Sequence, residues 1–368
     1  MRKSIAAVVA VAAASLAIAG IAPAASAADG KDVAKAIVSK YSKNPTSIGN
    51  LPPITKPIPK GKYVITMAAD SPSGVELNKK TVEAGKTLGW KMETMTPDAS
   101  VEGARKILQQ AIAKKPDGIA VSGLDPVSAY GDLFKKAEKE GIVIICTACM
   151  SRPYAALKDT HVAGPKMLDL WGQMIAAYTV ANVTGTPNVQ MFGLSVYPIL
   201  LRFDEAYQKN LKKLSPKAKY TFQEVDMSSF PQSVATQVAN TYKANPSTNF
   251  VTSDLGDWFI GTPQALFTAG ATPGQKPQIG GLTAGTTNIQ GLKDKTQNAW
   301  TGYSLAIVGY SAIDSFARYW TDTKFATADL PTQILTQKNV GSAVIGSNGF
   351  YVGVKDYASQ FKKVWGVK

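Results

Sequence analysis

The chain has 368 residues, a length that exceeds what one small hydrophobic core needs and that suits two α/β lobes. Hydrophobic residues make up 45% of the sequence, which excludes a disordered chain and a chain embedded in a membrane along its length. The formal net charge is +14, but the lysines are spread along predicted helices without interleaved aromatic residues, so no nucleic-acid partner is expected.

The first 27 residues have the pattern of a secretory signal peptide. Arg2 and Lys3 precede an apolar run over residues 5–21, and residues 25–27 (Ala-Ser-Ala) supply a small-residue cleavage site. A membrane anchor is the alternative, but the Ala-rich run and the cleavage site favour export. We therefore expect the protein in the periplasm, in the cell envelope or outside the cell.

Residues 28–60 are predicted to form a short helix and a proline-rich tether. The spacing of apolar residues indicates an amphipathic helix over residues 29–43. Residues 44–60 contain five prolines, and each proline fixes φ and removes a hydrogen-bond donor. This stretch is expected to be an extended tether between the export region and the folded body.

The body alternates strands and helices, most clearly in residues 116–148. The apolar run 119–121 is typical of a strand buried on both faces, an amphipathic helix follows, and Gly141 ends that helix before the next strand. The alternation continues in two successive blocks of about five units each. It predicts an α/β fold of two similar doubly wound lobes with parallel sheets, joined by a hinge. In such sheets ligands bind at the carboxyl ends of the strands.

Sequence motifs for catalysis and for cofactors are missing. The chain has no Gly-rich dinucleotide or phosphate loop and no nucleophile elbow. Its one histidine, His161, has no nucleophile at an informative spacing. We expect no catalytic residues, no cofactor and no metal site, with a secreted enzyme as a minor alternative.

Cys146 and Cys149 are the two cysteines of the chain, and three interpretations are open. An exported chain can form a local disulfide between them; the others are free thiols at a strand end and a redox or metal site. A redox pair of the thioredoxin kind opens a helix, and zinc needs further Cys or His ligands, so the disulfide is favoured.

Four short segments within residues 61–340 are informative because of the order in which they occur along the chain. They are Gly89-Trp90-Lys91-Met92 after the predicted helix of residues 76–88, Lys115-Pro116-Asp117-Gly118-Ile119 and Gly141-Ile142-Val143-Ile144 at the starts of strands, and Asn249-Phe250-Val251 ahead of Asp254 and Asp257. In this order they resemble the type I (ribose-like) periplasmic solute-binding proteins of ABC importers.

The resemblance implies two lobes, connected by three crossovers, that trap a ligand by hinge closure. It implies an N-terminal lobe of residues 61–161 plus 305–335 and a C-terminal lobe of residues 162–304 plus 336–368. It also implies a small-molecule solute and a membrane-bound ABC permease as partners. We expect the protein to act as a monomer.

Eight residues are candidates for ligand binding. They are Ser71, Ser122, Thr147, Arg202, Asp254, Asp257, Trp258 and Tyr303. Ser71 and Ser122 follow strands of the first lobe, and the others match or lie near cleft positions of the family. The sequence departs from the family pattern at two places: no aromatic residues follow Ser71, and Thr147 stands near the position of an acidic sugar ligand.

The sequence thus predicts an exported binding protein that captures a small polar ligand, a sugar or a sugar-like molecule, in an interlobe cleft and delivers it to an ABC permease. The alternative is a ligand-sensing binding protein for a non-sugar solute, such as a nucleoside, an aromatic compound or a carboxylate.

Overall fold

The computed structural model describes residues 27–98, 100–124, 127–159, 161–227, 229–326 and 329–368. The predicted signal peptide therefore lies, except for Ala27, outside the described residues. No helix within the described ranges combines the length and the apolar character that crossing a membrane requires.

Helices and strands alternate along the chain. The helices are α1 (Ala27–Tyr41), α2 (Pro72–Thr87), α3 (Val101–Ala113), α4 (Gly131–Lys139), α5 (Pro165–Asn182), α6 (Pro198–Leu214), α7 (Gln232–Ala244), α8 (Thr262–Thr268), α9 (Thr286–Lys293), α10 (Leu305–Trp320) and α11 (Tyr357–Trp365). The strands are β1 (Tyr63–Met67), β2 (Lys91–Met95), β3 (Gly118–Ser122), β4 (Val143–Thr147), β5 (Leu157–Asp159), β6 (Asn188–Gly193), β7 (Lys219–Glu224), β8 (Phe250–Ser253), β9 (Gln278–Gly281), β10 (Ala299–Gly302) and β11 (Gln333–Thr336).

The strands of the described residues form two sheets with the same internal order. The first sheet has the order β2-β1-β3-β4-β5, and all its neighbouring strands are parallel. The second has the order β7-β6-β8-β9-β10, again parallel, and adds β11 antiparallel to β10. Because the second sheet repeats the strand order of the first, the predicted fold class is confirmed.

The helix α10 returns from the second sheet to cover the first. It packs against α2 and against strands β3 and β4. The Phe316 ring fills the space that a β-carbon at Gly118 would need, and Gly309 lets the helix approach Thr81 of α2 closely. The first lobe is therefore built from two separate stretches of chain.

The last two elements lie in the opposite lobes to those predicted. Strand β11 pairs with β10 in the second sheet, whereas residues up to 335 were expected in the first lobe. Helix α11 packs on α10, where the rings of Tyr310 and Trp365 stack with centroids 5.7 Å apart. The lobe boundary at residue 335 is thus wrong for both elements. Strand β11 belongs to the second lobe because it pairs with β10, and α11 belongs to the first lobe because it buries the aromatic face of α10.

Residues 42–60, here called the N-terminal strap, have no helix or strand, as expected of an extended segment, but they are packed against the body. Helix α1 before the strap packs on α5 and α6 of the second lobe. Within the strap Ile48 and Ile54 are buried, and the Ile54 N–H donates to the Val364 carbonyl at 2.8 Å. The Trp90 indole of the first lobe donates to the Pro59 carbonyl at 2.8 Å. The strap therefore links the two lobes.

A buried ion pair fastens the strap to α10. The Arg318 side chain is fully buried, and its Nε lies 2.7 Å from Asp314 Oδ2. Arg318 Nη2 donates to the Pro52 carbonyl at 2.7 Å, and the Trp365 indole donates to Asp314 Oδ1 at 2.9 Å. Burial raises the pKa of Asp314, while Arg318 opposes that rise.

Candidate functional site

A cavity of about 190 Å³ lies between the two sheets, at the carboxyl ends of their strands. Segments that follow β1 and β3 form one wall, and segments that follow β8, β9 and β10 form the other, together with residues of α5 and α6. The large aliphatic residues of the lining are Met67, Leu77, Leu124, Leu168, Ile199, Leu200, Leu255, Leu282 and Leu305. This position is the one that the strand pattern predicts for a ligand site.

Ser71 and Ser122 lie on the first-lobe wall, where they were predicted. Ser71 is the N-cap of α2, and its hydroxyl accepts from the Gly74 N–H at 3.1 Å. Gly74 has no space for a β-carbon because the Ala69 carbonyl lies against it, so the first turn of α2 packs closely on the loop that follows β1. Ser122 is the last residue of β3 and is half-buried at the cavity.

Trp258 and Tyr303 lie on the second-lobe wall, and both line the cavity. Trp258 belongs to a single 3₁₀ turn, residues 256–259, and its ring meets Phe230 edge to face at 5.3 Å. Tyr303 follows β10, and its ring meets Trp171 of α5 edge to face at 5.1 Å. Burial raises the pKa of Tyr303, so its hydroxyl is protonated at neutral pH.

Asp254 lies behind the cavity wall. It is fully buried, and its two oxygens accept from the Trp258 indole and from the Leu194 N–H, each at 2.8 Å. Burial raises the pKa of Asp254 to about 7. Since Asp254 is absent from the lining, it positions the Trp258 ring rather than meeting a ligand.

Asp257 joins the two lobes. Its Oδ2 accepts from the backbone N–H of Ser73, in the first turn of α2, at 3.0 Å. The carboxyl group is buried, and this burial raises its pKa. Asp257 does not line the cavity. It acts at the rim, where it holds the second lobe against the N-terminus of a first-lobe helix.

Thr147 and Arg202 do not line the cavity, so their predicted cleft positions are wrong. Thr147 is buried beneath the edge of the first sheet, with its hydroxyl 3.4 Å from the Val121 carbonyl. The Arg202 guanidinium lies 2.6 Å from Asp169 on the outer face of α5 and α6, with 40% of its side chain exposed. The cavity face of α6 instead carries Ile199 and Leu200, in the first turn of the helix.

The polar groups of the cavity are few. The described residues that line it include no Lys, Arg, His, Asn, Gln or Glu. The one carboxylate among them, Asp98, is exposed and accepts from the Ser100 N–H at 2.9 Å. Across from it Tyr197 has a pKa raised by burial and by the charge of Asp98. The site offers mainly hydroxyl groups on an apolar floor.

Trp171, Tyr197 and Ile199 are site residues that were not among the candidates. Helical periodicity places Trp171 on the inward side of α5, but a sequence pattern does not distinguish the core from a cavity wall. Ile199 has no polar group, and a search for ligand-binding chemistry passes over such residues.

The cysteines and the titratable residues add no second chemistry at this site. Cys146 and Cys149 are paired, with Cα atoms 5.9 Å apart, and both are buried behind the wall that Ala148 contributes to the cavity. Within the described residues no group of three or more His, Cys, Asp or Glu side chains is arranged to hold a metal ion.

Solved structures share this architecture. A solute-binding protein from Burkholderia graminis, in complex with D-arabinose, superposes with a TM-score of 0.67 at 18% identity, covering 78% of this chain and 99% of that one. A solute-binding protein from Agrobacterium vitis, with bound allitol, gives a TM-score of 0.65 at 21% identity, covering 77% and 98%. A periplasmic ribose ABC transporter protein from Conexibacter woesei gives 0.61 at 16% identity, covering 80% and 96%. These identities establish the fold.

The sequence itself establishes the family. No curated protein matches the chain at a significant level. Residues 62–324, however, match the periplasmic binding protein domain family, and this match extends over more than half of the chain. The family consists of binding proteins, not enzymes, which confirms the resemblance found in the sequence. The chain belongs to the periplasmic binding protein domain family.

Proposed function

We propose that the protein is an exported solute-binding protein that captures a small molecule in the interlobe cavity and delivers it to an ABC permease. The observation that carries the proposal is the pairing of a cavity with a contact that holds its two walls together. Both lobes line the cavity, and the Asp257 carboxyl group of one lobe accepts from the Ser73 N–H of the other. Ligand capture and lobe closure are thereby coupled.

Export and delivery to a permease are supported by observations other than the cavity. The N-terminal sequence pattern, with two basic residues, an apolar run and a small-residue cleavage site, supports export. Membership of the binding-protein family supports a permease as the partner that receives the solute. A monomer is sufficient for this role, because both walls of the cavity come from one chain.

The ligand has two candidate classes. The structural neighbours bound to D-arabinose and to allitol favour a sugar or a polyol. The aliphatic and aromatic lining favours a non-sugar solute, the second class that the sequence left open. Capture between the lobes is common to both classes.

A thermal-shift screen of the mature chain against sugars, polyols, nucleosides, aromatic compounds and carboxylates tests the proposal. A binding protein gains stability from its ligand by mass action, by about 2.7 kcal/mol when the ligand is present at about 100 times its dissociation constant. Small-angle scattering with the stabilising solute is expected to show a reduced radius of gyration. If no solute of the panel raises the melting temperature, the proposed function fails.

A further inference from the structure

We propose that the solute is an uncharged aromatic molecule of one or two rings that carries one or two polar groups. This inference rests on the proposed function, because it specifies the ligand class of the same cavity. Four properties of the cavity carry it: the polarity of its walls, the orientation of its aromatic residues, its charge and its size.

Within the described residues, the walls offer a molecule with a hydroxyl group on most of its carbon atoms no amide or basic side chain as a partner. The ionisable and hydroxyl-bearing side chains of the described lining are one exposed carboxylate, at Asp98, and seven hydroxyls of Ser, Thr and Tyr residues. The hydroxyl of Ser71 is already engaged with the N-terminus of α2. A buried hydroxyl without a partner destabilises a complex, so a sugar or polyol gains little here, whereas an apolar ring gains from leaving water.

Two tryptophans present carbon surface to the cavity. The Trp171 indole N–H donates to the Thr332 hydroxyl at 2.7 Å, and the Trp258 indole N–H donates to Asp254 at 2.8 Å. Both donors are therefore occupied away from the ligand. Each ring is also fixed by an edge-to-face partner, Tyr303 for the first and Phe230 for the second. Rigid aromatic walls of this kind pack well against another aromatic ring.

The cavity has no described partner for a charged ligand. The side chains of α6 that face it are Ile199 and Leu200, and the Arg202 guanidinium is bound to Asp169 on the outer surface. A carboxylate in the cavity would be desolvated without a basic side chain from the described lining, which excludes the anionic class. A cation would find Asp98 at the exposed mouth but no carboxylate inside.

The size fits one or two rings. The cavity measures about 190 Å³, somewhat more than the ~150 Å³ apolar cavity that accommodates benzene. The Tyr303 hydroxyl lines it and has no hydrogen-bond partner among the described residues, so it is available for one polar group of the ligand. Ser122 at the opposite wall offers a second contact.

The test is calorimetric titration of the full mature chain. Two titrants, indole and p-cresol, are uncharged aromatic molecules with one polar group and are here called the ring compounds. The other four, D-arabinose, allitol, adenosine and benzoate, represent the sugar, polyol, nucleoside and carboxylate classes. We expect a ring compound to bind and to change the tryptophan fluorescence, and we expect none of the other four to bind. Ile199→Arg is expected to weaken ring binding roughly tenfold or more, because the new cation would occupy an apolar wall. Val196→Arg is the control, since Val196 is 52% exposed and outside the lining.

Two outcomes would overturn the inference, and they differ in what they imply for the proposed function. If D-arabinose, allitol, adenosine or benzoate binds and neither ring compound does, the inference is overturned and the proposed function stands. If none of the six compounds binds, the inference fails, and the wider thermal-shift screen then decides the proposed function separately. Ile199→Leu guards against misfolding: it keeps an aliphatic wall, so it is expected to retain ring binding, and equal weakening by Leu and Arg would contradict the inference.

Discussion

Replacement of Asp257 by alanine tests the contact that joins the lobes. In the structure its Oδ2 accepts from the Ser73 N–H at 3.0 Å, and both residues are buried. Asp257→Ala leaves that N–H buried without its acceptor, which costs about 1–3 kcal/mol. Because about 1.4 kcal/mol corresponds to a factor of ten in an equilibrium constant, the affinity for the solute should fall roughly 5- to 150-fold.

The asparagine variant separates the hydrogen bond from the charge. Asp257→Asn keeps an oxygen that can accept from Ser73, and it removes a carboxylate whose pKa is raised by burial. A raised pKa means that the closed state binds the proton more tightly than an open state in which the carboxyl group is solvated. The resulting stabilisation of the closed state is complete below the pKa of the solvated carboxyl group, and it is lost as pH rises through the pKa of the closed state. Asp257→Asn should therefore bind as well as the unchanged protein.

Titration calorimetry with the solute measures these affinities, and small-angle scattering measures closure in the same samples. Asp294→Ala is the control, because Asp294 is an exposed carboxylate of the same lobe whose contact is with Gln290 on its own helix. Unchanged affinity in Asp257→Ala would refute the reasoning, and so would an equal loss in the alanine and asparagine variants.

Three further predictions concern stability, each measured by urea unfolding. Arg318→Ala should lower the free energy of unfolding by about 3–5 kcal/mol, because it leaves a buried aspartate unpaired. Arg202→Ala, which removes an exposed ion pair, should lower it by less than about 1 kcal/mol and leave solute affinity unchanged. Equal losses in the two variants would contradict the buried network. Ile54→Ala should cost about 2–5 kcal/mol because the strap is part of the core, and the exposed Thr55→Ala should be close to neutral; a neutral Ile54→Ala would mean that the strap is free. Because burial raises the pKa of Asp254 from 3.8 to about 7, the folded state binds this proton more tightly, and its contribution is lost as pH rises from 3.8 to 7. Stability attributable to this group should thus fall, by up to about 1.4 kcal/mol per pH unit, and a rise over that range would contradict the assignment.

The order of strands and helices was predictable because it depends on local patterns. Short apolar runs, helical periodicity and glycine stops recur along the chain, and parallel sheets then fix where a cleft must lie. Ser71, Ser122, Trp258 and Tyr303 were found for this reason, since each follows the end of a strand or caps a helix near one.

The remaining features depend on contacts between distant residues. Ile199, Leu200 and Arg202 lie close together at the start of α6, and only the packing of α6 against α5 decides which of them face the cavity. The prolines of the strap indicate an extended backbone, but they do not show that Ile48 and Ile54 find a partner surface at α11. The lobe of β11 likewise depends on its antiparallel pairing with β10.

The return of α10 to the first sheet has a consequence for the order of folding. Residues 63–159 supply all five strands of that sheet, but the helix that buries one of its faces begins only at residue 305. During synthesis the part of that face that α10 covers, over β3 and β4, stays open until most of the chain has emerged, and contacts so distant in sequence form slowly. We therefore expect the chain to complete its first lobe only after synthesis is nearly finished, which would leave it unfolded for the passage across a membrane that its N-terminal sequence pattern predicts.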